Sequence, residues 1–375
     1  MENLVIYGGA FDPVHNGHLR IAEAASLRLN ADVVFVPTHK PRWKETSASD
    51  EDRVKMLKIA LRKAKNPSFT ISLCEMERNE DETYTIDTLH YFRKKYPDRQ
   101  LVLLIGTDQV NAFPKWKNAD EIASIANIVY VDRPGYEPDK AVVKKYKMKS
   151  LGFSESGEVS STSIRELRYL DLPGAILDYI SSHHLYYMKT LETYLDGRRL
   201  EHSISVAELA YAIAYRNHIP NPGRAYIAGL LHDVAKRLPD EKARAIMKEK
   251  FSDYRKIPTF VWHQFTGAKV VEDVLKIDDP TVLDAIEYHC TGRAEMDEIA
   301  MIIYAADKIE PTRGWDSARF IKMCLADYEK GFVEVLRANR EFLTKKGSDP
   351  NSISWTRECF EYYLGGNADG LSKKS

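Results

Sequence analysis

The sequence predicts an α/β, doubly wound parallel sheet in its first half and an all-α second half. Three observations carry this reading. Apolar runs without polar alternation recur at Leu4–Tyr7, Val33–Val36, Phe69–Leu73, Leu101–Ile105 and Ile128–Val131, as strands covered on both faces require. Amphipathic stretches lie between several of them, at Leu19–Leu29, Asp52–Ala64 and Ile86–Tyr96, and β alternating with α is the signature of a parallel sheet with helices on both faces. After about residue 160 the strand signals fade. From Leu191 nearly everything has helical spacing, with one stripe at Val206, Leu209, Ala210 and Ile213 and another at Ile227, Leu231, Val234 and Leu238.

These patterns put a boundary near Met188–Glu192: one domain over 1–188, a second over 189–345, and a C-terminal helix with a frayed tail over 346–375. Two or three domains suit 375 residues. The formal charge of −1 provides no basic field of the kind that concentrates nucleic acid. No apolar stretch approaches the ~20 residues of a membrane helix. The first strand begins within a few residues of Met1, which leaves no room for a signal peptide. Cys74, Cys290, Cys324 and Cys359 lack any Cys-x-x-Cys spacing, so neither a disulfide framework nor a zinc knuckle is expected, and a reducing cytoplasm is. An oligomer is compatible with all of this.

The most informative segment is Gly8-Gly-Ala-Phe-Asp-Pro-Val-His-Asn-Gly-His18. It reads as strand, glycine turn and helix start, at the carboxyl end of a strand where doubly wound sheets bind ligands. The first helical turn offers free N–H groups to an anion. Gly8 and Gly9 let backbone approach a ligand where a Cβ would clash, and His15 and His18 can donate hydrogen bonds to phosphate. Further along, Lys40 follows the second strand, and Gly106 and Asp108 end the fourth, where a ribose or base could be met. Trp116 offers a stacking face or a core anchor. Ser161 and Thr162 open a short helix that carries Arg165, whose guanidinium suits phosphate through paired hydrogen bonds.

With Tyr84-Thr85-Ile86-Asp87-Thr88-Leu89, Gly106-Thr107-Asp108, Pro114-Lys115-Trp116 and Ser160-Ser161-Thr162-Ser163-Ile164-Arg165 in order, residues 1–188 resemble the bacterial nicotinate-nucleotide adenylyltransferases. The resemblance implies a Rossmann-like nucleotidyltransferase domain. It also implies in-line attack of the nicotinate mononucleotide 5′-phosphate on the α-phosphorus of ATP, with Mg²⁺ on the phosphates and pyrophosphate released. His15 and His18 would serve the triphosphate and its transition state, and Arg165 the β and γ phosphates. Thr85, Asp108, Trp116 and Lys40 would serve the acceptor. Nicotinamide mononucleotide and phosphopantetheine are the alternative acceptors.

The helical half holds His202, His232-Asp233, His263, His289 and Asp307. His202 shares a face with the Val206/Leu209/Ile213 stripe, and Asp307 closes the apolar run Met301–Ala306, where an unpaired carboxylate is costly. A metal ion resolves both burials, and imidazole with carboxylate suits iron, manganese or zinc. The order His … His-Asp … Asp resembles the HD metal-dependent phosphohydrolases. More narrowly, Leu230–Lys236, Tyr288-His289-Cys290-Thr291-Gly292-Arg293 and Ala306-Asp307-Lys308-Ile309-Glu310-Pro311 look like HD-domain symmetrical diadenosine tetraphosphate hydrolases. Gln264-Phe265-Thr266 departs from that family's small residue and Pro. By this resemblance His202, His232, Asp233 and Asp307 bind the metal, expected to be iron. Lys236, His263, His289 and Arg293 contact phosphates or assist proton transfer, and diadenosine tetraphosphate is cut to two ADP. The alternatives are a module that senses ADP or a dinucleotide, and hydrolysis of another dinucleotide.

Overall fold

In the computed structural model the described residues are 2–39, 46–78, 83–133, 135–154, 160–347, 349 and 351–365. The predicted frayed tail, Ala368–Ser375, and the candidate Lys40 lie outside them. The chain forms two compact units: Met1–Arg165 with Asp171–Ile176, and Glu166–Leu170 with Leu177–Ser375.

The first unit is a six-stranded sheet, β1 (Asn3–Gly9), β2 (Ala31–Pro37), β3 (Phe69–Ile71), β4 (Gln100–Gly106), β5 (Asn127–Asp132) and β6 (Lys149–Ser154). Every neighbouring pair is parallel, in the order β3-β2-β1-β4-β5-β6. The order reverses between β1 and β4, which creates a crevice beyond their carboxyl ends. Leu4, Ile6, Leu101, Leu103 and Ile105, along β1 and β4, pack into one core with Leu89, Phe92, Phe113 and Ile122.

Two strands differ from the sequence expectation. β3 stops at Ile71 rather than Leu73, because a helix begins at Cys74. β6 carries no apolar run: Lys149, Ser150 and Gly152 weaken its signal. Its place comes instead from pairing with β5 and from Arg28 Nη1, which donates to the Leu151 carbonyl at 2.7 Å.

Helix α1 (Asn16–Leu29) starts three residues before the predicted Leu19. His15 is its extended N-cap, and Asp171 ties down the first turn by accepting from Asn16 through both its carboxylate and its carbonyl. Helix α2 (Asp50–Ala64) is capped by Ser49, whose Oγ accepts the Asp52 N–H, and its first turn carries Asp50, Glu51 and Asp52, which suits the positive end of the helix dipole. Helix α3 (Thr85–Lys95) covers the sheet through Ile86, Leu89 and Phe92.

The second unit is built from α4 (Gly197–Arg216), α5 (Gly223–Leu231), α6 (Trp262–Asp273), α7 (Pro280–Tyr288), α8 (Glu298–Ile309), α9 (Tyr328–Lys345) and α10 (Ser354–Leu364), with shorter helices between. Helix α8 is buried almost all round, as a central helix must be. Gly229 lets α5 close on α4: a Cβ there would lie 2.5 Å from the Ala207 Cα. The predicted second stripe is shorter than expected. The helix ends at Leu231 and the chain turns through 232–237, so Val234 and Leu238 do not continue it. His232 Nδ1 donates to the Gly229 carbonyl at 2.7 Å, meeting one of the acceptors left open at the helix end.

Candidate active sites

At the end of β1 the backbone passes from Gly8 through a tight turn into α1. A Cβ on Gly9 would press on the Phe11 ring at 3.2 Å, whereas one on Gly8 would meet nothing within 4 Å. Gly9 therefore lies close against the Phe11 ring, and Gly8 borders open space. The His15 and His18 rings touch at a tilt of 37°, with centroids 3.7 Å apart. His18 Nδ1 accepts the His15 backbone N–H at 3.2 Å, so the proton of the neutral His18 ring sits on Nε2. Burial pushes His15 down to about 3 and holds His18 well below its ordinary value, with the Arg133 guanidinium adding to both. Two neutral imidazoles thus sit together at the start of α1 at neutral pH.

The turn is braced from three directions. Asp12, buried, accepts the N–H groups of Ser47 and Ala48 at 2.7 and 3.1 Å. Arg165 donates to the Asp12 carbonyl and to Thr162 Oγ1, and lies 3.7 Å from the Asp12 carboxylate. Ser161 Oγ donates to the Pro13 carbonyl at 2.9 Å. Arg53, missed in the sequence, is fully buried and donates to the carbonyls of Ala10 and Thr38 and to Asp50.

One strand across, the Asp108 and Arg133 side chains close over Gly106: a Cβ would lie 2.3 Å from Asp108 Oδ1 and 2.7 Å from Arg133 Nε, and would push both side chains aside. Arg133 pairs with Asp108 at 3.4 Å. Trp116 is half-buried against Phe113 and the sheet core. Thr85 opens α3. Among the described residues no hydrogen bond or ring contact ties Thr85 or Trp116 to the Gly8–His18 turn.

In the helical unit, His202 on α4, the His232-Asp233 turn after α5, His263 on α6, His289 after α7 and Asp307 on α8 converge. Their ligating atoms form two groups, His202–His232–Asp233 and Asp233–His263–His289, within each of which all donor atoms lie within 4.8 Å of one another. Asp233 belongs to both. Asp307 Oδ1 lies 3.2 Å from His202 Nε2 and 3.7 Å from His232 Nε2, which joins it to the first group.

This donor set passes a physical test for a cation. The Nδ1 atoms of His232, His263 and His289 donate to the carbonyls of Gly229, Phe260 and Ile286, and that of His202 to the Glu310 carboxylate. A neutral ring so held presents a bare lone pair at Nε2. His202 and His232 bring these atoms to 3.2 Å, and His263 and His289 to 3.1 Å. Where both rings are neutral, lone pairs that close repel unless positive charge lies between them; at His202 a proton on Nε2, facing Asp307, supplies that charge, so the cation argument rests on the His263–His289 pair. Burial opposes a proton on His232, pushed down to about 4, and on His263, pushed down to about 2. At His202 burial also works against the proton, but Asp307 and Glu310 outweigh it and raise the pKa. Although burial alone would raise Asp233, the His232 and His289 imidazoles and the Lys236 ammonium hold its carboxyl well below the usual range.

The surroundings are polar by design of the fold. Lys236 Nζ lies 3.6 Å from Asp233 Oδ1. Arg313 and Lys308, neither singled out in the sequence, both pair with Asp307. Arg293 is committed elsewhere: it grips Asp284 through Nε and Nη2, and its Nη1 donates to the Ala294 and Glu295 carbonyls. Gln264-Phe265-Thr266 lies within α6 rather than in a loop, and Gln264 has a structural role there. Fully buried, it accepts from the Cys290 and Thr291 N–H groups and donates to Thr291 Oγ1, which fixes His263 against His289.

Residues 6–167 match the family described as cytidylyltransferase-like, and residues 199–312 match the HD domain. A Mycoplasma genitalium protein is 29% identical over 348 residues, 90% of this chain and 97% of its own length. A Mycoplasma pneumoniae protein is 30% identical over 344 residues, 89% and 98% respectively. Both carry the name "Probable nicotinate-nucleotide adenylyltransferase/Ap4A hydrolase". A Bacillus pumilus protein named "Probable nicotinate-nucleotide adenylyltransferase" is 36% identical over 198 residues, 50% of this chain and 99% of its own.

Proposed function

Because the chain belongs to the family of fused nicotinate-nucleotide adenylyltransferase/Ap4A hydrolases, we propose that it is a bifunctional enzyme of that kind. Its sheet unit transfers adenylate from ATP to nicotinate mononucleotide, and its helical unit hydrolyses diadenosine tetraphosphate to two ADP.

For the transfer, the 5′-phosphate oxygen of the acceptor bonds to the α-phosphorus of ATP as the bond to the bridging oxygen of pyrophosphate breaks. Such chemistry needs positioning and charge stabilisation rather than a protein nucleophile. His18, with its proton on Nε2, donates to a phosphate oxygen where negative charge develops, and His15 packs against it. The open space at Gly8 takes the triphosphate at the N-terminus of α1. Arg165, Ser161 and Thr162 hold the turn and present the guanidinium to the β and γ phosphates. Asp108, Thr85 and Trp116 orient the acceptor, and Mg²⁺ arrives on the nucleotide.

For the hydrolysis, His202, His232, Asp233 and Asp307 hold a divalent cation, iron by preference. Asp233, His263 and His289 form a second three-donor group. A divalent metal supplies positive charge against phosphoryl oxygens and makes a water molecule a stronger nucleophile at neutral pH. Lys236 faces the polyphosphate from beside Asp233. Arg293, with its donors already spent on Asp284 and two carbonyls, shapes the turn after His289 instead of contacting substrate.

The observation that carries this reading is the meeting of four Nε2 atoms around Asp233 in one unit and of the glycine–histidine turn at the sheet's crevice in the other. Product analysis tests it. Full-length protein should convert nicotinate mononucleotide and ATP to the dinucleotide and pyrophosphate, and diadenosine tetraphosphate to ADP alone. Asp233→Ala should abolish only the second reaction, and His18→Ala should slow only the first, by roughly 10²–10³-fold. Wild-type hydrolysis by Asp233→Ala would sink the metal mechanism. Binding of diadenosine tetraphosphate without cleavage would make the helical unit a sensor.

A further inference from the structure

Three of the four histidines around Asp233 are oriented alike. His232, His263 and His289 each donate Nδ1–H to a neutral backbone carbonyl three residues earlier, at 2.7, 2.9 and 2.7 Å. His202 is the exception. Its Nδ1 faces the Glu310 carboxylate at 2.8 Å. That carboxylate is fully buried, and Thr312 fixes it from the other side, donating its backbone N–H to Oε2 at 2.6 Å and its hydroxyl to Oε1 at 2.8 Å. Among the described residues no lysine or arginine pairs with the Glu310 carboxylate. The function proposed above leaves Glu310 unused.

A carboxylate and a carbonyl are different partners for an imidazole. The charge-assisted bond is shorter and stronger, more so out of water. It fixes the Nδ1–H tautomer, and it pushes electron density toward Nε2, which makes that nitrogen a better metal donor. The two three-donor groups are therefore not equivalent. The His202 group has Glu310 behind it and Asp307 beside it, the latter paired with Arg313 and Lys308. The His263–His289 group has only the Asp233 carboxylate, which it shares with its neighbour.

We infer that Glu310 is a positioning residue that acts through His202 and makes the His202–His232–Asp233 group the tighter of two cation sites, the Asp233–His263–His289 group being the weaker. The inference rests on the metal-dependent reading of the helical unit.

The test is calorimetric titration of Mn²⁺ into metal-free, full-length protein without nucleotide. Wild type is expected to show two classes of site. Glu310→Gln, close in shape but uncharged, should weaken the tighter class roughly 10–100-fold and leave the weaker class unmoved. Glu310→Asp should recover part of the loss. His263→Asn should do the reverse, removing the weaker class and keeping the tighter one. Circular dichroism identifies any variant that has lost its fold. In folded protein, a Glu310→Gln titration like wild type overturns the inference, as does equal weakening of both classes or a single class in wild type. Wild type that takes up no Mn²⁺ overturns the metal-dependent reading itself, a separate and recognisable failure.

Discussion

Gln264 and Thr291 hold each other at two points: the Gln264 amide donates to Thr291 Oγ1 at 3.0 Å, and its carbonyl accepts the Thr291 N–H at 3.2 Å. The clamp sits one residue from His263 and two from His289. Those two imidazoles come from α6 and from the turn that ends α7, and their 3.1 Å approach depends on how the two are pinned. Replacing Gln264 by Ala leaves the Cys290 and Thr291 groups buried without a partner, which costs about 1–3 kcal/mol for each unsatisfied group. Gln264→Ala should therefore lower the urea midpoint and slow hydrolysis of diadenosine tetraphosphate while adenylyl transfer persists. Unchanged hydrolysis would show that the pinning is redundant.

Arg53 makes a comparable prediction for the sheet unit. Its guanidinium joins Ala10 in the glycine–histidine turn to Thr38 after β2 and to Asp50 at the start of α2. Arg53→Met keeps the volume and removes every bond. Loss of one partner from such a buried charged network costs on the order of 3–5 kcal/mol. Adenylyl transfer should fall with it, since Ala10 is part of the turn. Arg53→Lys should not rescue, because a single ammonium cannot reproduce the fork. Rescue by lysine in a denaturation series would show that charge alone matters.

His15 should make stability depend on acidity. Burial lowers its pKa from 6.5 to about 3, so the unfolded chain binds the proton first as pH falls. Above about pH 6.5 the ring is neutral in both states, and its contribution is complete. Between that value and about pH 3 stability declines, by at most about 1.4 kcal/mol per pH unit for one proton. The slope of unfolding free energy against pH between 6.5 and 5 should be shallower in His15→Asn than in wild type. Identical slopes would mean that His15 titrates normally in the folded protein.

Gly229 tests the packing of the helical unit. An alanine there would place its Cβ 2.5 Å from the Ala207 Cα and 2.8 Å from its nitrogen, both backbone atoms that cannot step aside. Overpacking of this kind costs about 1–3 kcal/mol. Gly229→Ala should lower the denaturation midpoint and, because Gly229 also anchors His232 through its carbonyl, weaken cation binding. A midpoint equal to wild type would mean that α4 and α5 separate at little cost.

What could be read from the sequence followed from local chemistry. Buried parallel strands betray themselves as apolar runs, and the Gly8–His18 turn packs its residue types into eleven consecutive positions. The histidines and aspartates of the helical unit were legible because burial in apolar stripes demands an explanation. What escaped shares a different physics. Arg53 and Glu310 look like surface charges until tertiary structure surrounds them. Gln264 is an ordinary polar residue whose two partners lie 26 and 27 positions away. β6 has little apolar signal because an edge strand is held largely by its single neighbour. The stripe that ran past Leu231 kept helical spacing through a turn, where Val234 is buried for a different reason than periodicity.

Asp233 stands in both donor groups, so in genetic terms it is epistatic to each side. Changes at His202 and at His263 should act on separate halves of the centre and combine almost independently. In a background that already lacks the Asp233 carboxylate, either change has far less left to remove. A survey of natural or engineered variants would therefore find the effect of nearly any substitution in this cluster contingent on one position, and a chain that had lost Asp233 would be free to drift at the others.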